Sequence, residues 1–121
     1  MANEATVSAY LSFVKGTVDT KMSRQAIQFT VAGTNYIQES MTVPTTAGGT
    51  AIPLGSVGTP GFYFIKNNDA TNFVTILSGV GGTALLKLKA GEFTVGRFSV
   101  ATPAALANTL SVQIEYLIVE D

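Results

Sequence analysis

Side chains able to do chemistry are few in this chain. Histidine and cysteine are absent, which removes the commonest general base, the Ser-His and Cys-His nucleophile pairs, thiolate zinc ligands and any disulfide. Carboxylates stand at Glu4, Asp19, Glu39, Asp69, Glu92, Glu115, Glu120 and Asp121. None is spaced as an acid/base pair on adjoining positions of one strand, so a glycosidase dyad would have to be assembled in space. Carboxylates scattered like this are what solubility asks for. The expectation is a protein that is not an enzyme, with no catalytic, cofactor-binding or metal-binding residues and no cofactor.

Two loops carry residue types that deserve weighing. Asn67, Asn68, Asp69 and Asn72 gather oxygen atoms, as a calcium loop does, but without the DxDxDG register or the bidentate Glu. An Asx-type turn, in which these side chains bond their own backbone, is the simpler expectation. Gly79, Gly81 and Gly82 give a glycine-rich loop at 78–83. The Lys-Ser/Thr of a phosphate-binding loop is missing and no helix follows, so a flexible connection is expected. Tyr10, Tyr36, Tyr63 and Tyr116 could form a sugar platform. There is no tryptophan, and each tyrosine falls in a strand whose packing accounts for it.

The elements that would position these groups are strands. Residues 4–15 alternate, with Val7, Ala9, Leu11 and Phe13 on one face, the period of two of a half-buried strand. Residues 16–22 read as an exposed connection. Residues 24–31 and 36–43 alternate again and suggest a hairpin turned at Gly33, Thr34 and Asn35. Residues 44–61 are rich in Gly and Pro, and Pro53 confines the short segment 50–54 to a sheet edge. The densest apolar stretch, 62–98, reads as two successive strand-turn-strand units: 62–65 with 73–77, and 84–88 with 92–98 through a tight turn at Gly91. Residues 99–108 offer a helical turn, with Thr102 as cap, Pro103 at the first position and Ala104, Ala105, Leu106 and Ala107 following. Residues 109–120 alternate most clearly, with Leu110, Val112, Ile114, Tyr116 and Ile118 on one face. Eight or nine short strands at this spacing predict an all-β, antiparallel β-sandwich or jelly-roll-like domain over 1–121, with 1–6 as an N-terminal arm.

Composition narrows the function classes. Of the 121 residues, 46% are hydrophobic but 12% charged, about half the charge of an ordinary soluble domain. Net charge is −1 and no basic run exists, so nucleic acid is not expected as a partner. No apolar run approaches the roughly 20 residues of a membrane-spanning helix, and the first residues lack the basic and apolar regions of a classical signal peptide. Between Ser40 and Ile65 there is no charged residue, which suggests a surface covered by another chain.

Four phrases carry a resemblance: the opening ATVSAYLSFVKG at 5–16, the Ile-Lys-Asn-Asn-Asp-Ala-Thr-Asn-Phe-Val segment at 65–74, the Leu-Lys-Ala-Gly-Glu turn at 88–92 and the Glu-Tyr-Leu-Ile segment at 115–118. Together they resemble small all-β virion structural proteins of tailed bacteriophages. The resemblance implies a capsid decoration (cement) protein located on the capsid exterior, with the major capsid protein and its own copies as partners, a homotrimer being the favoured order. A neck, tail or head-fibre component and a host-glycan-binding module are the alternatives. It supplies no functional residues. The expected contacts are Met1, Ala2, Asn3 and Glu4 in the unpatterned start, and Thr45, Thr46, Leu54 and Val57 in the uncharged loop.

Overall fold

The computed structural model describes residues 3–121, which form ten strands and no helix. They fall into two compact units, Met1–Ala32 and Gly33–Asp121.

The first unit is a two-stranded antiparallel ribbon of β1 (Ala5–Lys15) and β2 (Val18–Phe29). Its register runs from Ala5 opposite Phe29 to Lys15 opposite Val18, leaving Gly16 and Thr17 as a two-residue turn. Gly16 has φ 60°, and the positive value falls on the turn position that type II′ reserves for glycine. The expected hairpin between 24–31 and 36–43 is therefore replaced by one between 5–15 and 18–29. Residues 18–22 look like a loop in the sequence because Asp19 and Lys21 interrupt the apolar pattern. In the ribbon these two project from one face, while Val18 and Met22 lie on the other, opposite Lys15 and Leu11.

A bulge hides the strand further. Gln25 and Ala26 stand opposite the single residue Ser8; the Ala26 N–H donates to Ser8 Oγ at 2.8 Å, with Ala26 at φ 52°. One extra residue reverses the alternation along β2. Ile27 thereby joins Val18 and Met22 on the face of Val7, Leu11 and Phe13, although the numbers change parity.

The second unit is an antiparallel sandwich of two four-stranded sheets. One holds β3 (Tyr36–Val43), β10 (Val112–Glu120), β5 (Pro60–Asn67) and β8 (Phe93–Arg97) in that order. The other holds β4 (Thr50–Ala51), β9 (Ala104–Ala107), β6 (Val74–Leu77) and β7 (Ala84–Leu88). The pairs β3·β10, β4·β9, β5·β8 and β6·β7 nest inside one another. The chain thus behaves as one long hairpin, with its tip at 78–83, rolled up so that successive pairs alternate between sheets. This is jelly-roll wrapping.

The wrapping corrects the expected local hairpins in the stretch 62–98. β5 does not pair with β6, nor β7 with β8; the two middle strands pair and the outer two pair in the opposite sheet. The tight turn itself forms as read: Glu92 N–H donates to Lys89 O at 3.0 Å and Gly91 has φ 79°, a type II arrangement. It joins strands of different sheets.

The helical turn is also overturned. Ala104–Ala107 is strand β9, hydrogen-bonded between β4 and β6, with Ala104, Ala105 and Ala107 buried. Alanine's helix preference is worth too little over one turn to nucleate a helix, and its small side chain fits where the two sheets approach. The core between them contains Ile65, Val112, Ile114 and Ile118 from one sheet and Val74, Ile76 and Leu88 from the other. The buried alternation of β10 matches its sequence pattern from Val112 to Ile118. Leu110 lies before the strand and is exposed.

Candidate functional site

In the loop that gathers Asn67, Asp69 and Asn72, the first two accept from the loop's own amides, while Asn72 Oδ1 accepts from Thr109 Oγ1 at 3.0 Å. Asn67 is fully buried at the end of β5. Its Oδ1 accepts from Asp69 N–H at 2.8 Å, and its Nδ2 donates to Asn72 O at 2.9 Å and Leu88 O at 3.0 Å. Asp69 Oδ2 accepts from Asn72 N–H at 2.6 Å and Thr71 N–H at 3.0 Å. Those two backbone donors, Asn72 first, hold the Asp69 carboxyl below its ordinary range. This is an Asx network that ties the end of β5 to β7, with the carboxylate oxygen satisfied by amides.

Glu120 performs a comparable task at the far end of β10. Its carboxylate accepts from Gly58 N–H at 2.8 Å, Asn35 Nδ2 at 3.3 Å and Thr34 N–H at 3.3 Å. The Gly58 amide, then the Asn35 side chain, lower its pKa. Arg97 pairs with Asp121 next to it. Tyr116 lies inside the sandwich, its hydroxyl donating to Pro53 O at 2.9 Å; burial, then the charge of Glu39, push its pKa up. Each of these groups closes the fold on itself.

The uncharged loop is largely explained the same way. Ile52 and Val57 are core residues, Leu54 packs against the core, and Ile52 N–H donates to Pro103 O at 3.0 Å. Val57, expected as a contact residue, is buried at 5% exposure and has no surface to offer; Leu54 is half-buried. Ile52, Leu54 and Val57 serve this chain's own core, while 45–47 and 58–59 are exposed and uncharged. Thr45 and Thr46 are exposed, as are Asn3 and Glu4, while Met1 and Ala2 lie outside the described residues.

Two surfaces expose large apolar side chains, the second of them mixed with polar groups. The first is the ribbon face described above, where Leu11 and Met22 stand opposite each other at 74% and 71% exposure, beside Phe13, Val18 and Ile27. Val7, Ala9, Arg24, Ile27 and Phe29 line a shallow hollow on the same unit. The second is the outer side of the sheet containing β10. There Phe64 and Phe93 stack with ring centres 5.4 Å apart, and both are exposed. Beside them an open groove of about 480 Å³ is lined by Gln38, Glu39, Ser40, Phe64, Glu115, Tyr116 and Leu117.

Sequence reasoning placed the contact segment in a loop and missed both faces. The signal for the first was present in Val7, Ala9, Leu11 and Phe13, whose alternation was read correctly. What the alternation did not show is that its sheet has two strands among the described residues. Comparison with family models, with curated proteins and with solved structures finds no match for this chain.

Proposed function

We propose that this chain is a virion structural protein of a tailed bacteriophage, a capsid decoration or cement protein. It assembles with its own copies, a trimer being the favoured order, and binds the exterior of a shell built from the major capsid protein. The phrases quoted above support this reading, as do the jelly-roll-like sandwich and the low charge. The single observation that carries it is the open apolar ribbon face. A surface of that kind on a free molecule invites association.

The physical logic is repetition. A symmetric ring of identical subunits presents several copies of one modest contact to a periodic shell, and the linked contacts multiply in avidity. A ring that bridges neighbouring capsomers must be detached from all of them before any one can leave, which stabilises the shell without any reaction.

The test is sedimentation of purified protein with empty shells. Co-pelleting that saturates at a fixed ratio to the major capsid protein, with shells more resistant to heat, is the expected result. A protein that stays monomeric and remains in the supernatant at every ratio overturns the reading. Labelled protein found at the vertex instead of over the shell faces would assign it to the neck, tail or a head fibre. The exposed rings of Tyr36, Phe64 and Phe93 favour a second reading, a host-glycan-binding module, which binding on a glycan array would reveal.

A further inference from the structure

We infer that the apolar face of the β1–β2 ribbon is closed by the same face of a second copy of this chain. The inference rests on the self-association in the proposed function but replaces its favoured order, because identical faces close two by two and give a two-fold dimer in place of a trimer.

A two-stranded hairpin by itself is marginally stable in water. Here the ribbon is long, with strands of 11 and 12 residues, and among the described residues its sheet consists of these two strands. Its faces differ in the density of apolar side chains. Ser12, Ser23, Lys21 and Asp19 project from one, with Tyr10 and Val14 among them, whereas Leu11, Phe13, Val18, Met22 and Ile27 project from the other, together with Lys15, Thr20 and Arg24. One-sided patterning of this kind is what a strand acquires when a single face is to be covered.

Size and charge point to a second copy. An 11-residue strand extends about 37 Å and a two-stranded ribbon is about 10 Å wide. With side-chain relief on both partners, packing two such faces passes the roughly 1,000 Å² that a specific interface requires. The face carries two charges per copy, Lys15 and Arg24, and both can stay in water when identical faces pack. Asp19 and Lys21 leave on the opposite face, and Lys15 stands at the open tip. Arg24 is exposed and turns its guanidinium back onto Ser23 O at 2.7 Å, so its stem can lie along the apolar surface while its head stays in water. Every copy brings the same surface, so isologous pairing covers all of them at once.

The chain has no cysteine, so an introduced thiol reports without background. With a thiol cross-linker spanning about 10 Å, the separation of two packed sheets, Leu11→Cys should give linked dimers in high yield, and Ser12→Cys, one residue along and on the other face, few. Light scattering of the full-length protein should give a mass above that of one chain. Leu11→Arg should reduce it to one chain while the thermal transition of the sandwich stays in place. A monomeric wild-type protein, equal cross-linking at positions 11 and 12, or an unchanged mass for Leu11→Arg would overturn the proposal. So would wild-type protein that stays monomeric and instead binds phosphatidylcholine vesicles. Shell pelleting separates the two readings. An oligomer that ignores shells refutes the decoration role and leaves this inference standing, whereas a wild-type monomer that pellets with shells does the reverse.

Discussion

The ribbon and the sandwich are built from the same material and end in opposite states. Both consist of antiparallel strands with one apolar face, yet β10 buries Val112, Ile114, Tyr116 and Ile118 against a second sheet, while Leu11, Phe13 and Met22 on the ribbon stay open. A β-sheet face is completed by whatever lies about 10 Å above it. In the sandwich the chain supplies that layer itself; the ribbon's described sheet has two strands, and its apolar side chains are exposed. Alternation in a sequence therefore marks a face to be covered and leaves open which molecule covers it.

The same substitution made in both regions should separate them most strongly. Ile114→Ala, at a site with 0% exposure, leaves a cavity between the sheets and should cost about 2–5 kcal/mol, read as a large fall in the urea midpoint. Ile27→Ala, at 40% exposure, should move the sandwich transition little and weaken self-association instead. Equal losses of stability at the two positions would break the comparison.

Asn67→Ala comes next. It leaves Asn72 O, Leu88 O and Asp69 N–H without their partner, and unsatisfied buried groups cost about 1–3 kcal/mol each, less where water enters. A net loss of about 3 kcal/mol is expected, with the ribbon unaffected. If the substitution is neutral, the loop is not what fastens β5 to β7.

A smaller effect is expected of Tyr116→Phe. It removes the hydrogen bond to Pro53 O and should cost about 1 kcal/mol in chemical denaturation. Because burial raises the pKa of this phenol above 10.0, the folded state resists its ionisation. The stability linked to Tyr116 is full below pH 10.0 and is lost as pH rises through the elevated folded value. Tyr116→Phe should flatten that alkaline decline.

The smallest effect lies at the acid end. Asp69 and Glu120 are held below their ordinary values of 3.8 and 4.5 by amide donors, so the unfolded chain takes up their protons first. Stability is full above those ordinary values and declines as pH falls through the lowered folded ones. Both groups face solvent, so the effect is modest. Glu120→Gln should make the melting temperature less sensitive to acid, and an unchanged acid profile would remove the Gly58 and Asn35 contacts from the account.

Much of the chain was legible from local rules. The faces of β1 and β10, the type II turn at Gly91 and the Asx loop at Asn67 follow from alternation, glycine's access to positive φ and the short reach of Asn and Asp side chains. The errors lie where local preference and tertiary demand diverge. Gln25 and Ala26 bulge against Ser8 and reverse the alternation of β2, so 18–29 did not look like one strand. Ala104–Ala107 has the composition of a helix and was drawn into a sheet because its small side chains fit between two layers. Val57 looked like a contact residue and is core.

By itself the sequence determined that this is a β protein with little charge and no histidine or cysteine, and which side of each well-patterned strand avoids water. Those properties depend on residue type and on a spacing of two. Tertiary structure alone decided the nesting of β3·β10 around β6·β7 and the identity of the strands that complete each face. Pairing between distant segments is chosen by the burial of whole faces, a sum over many residues that no local stretch contains.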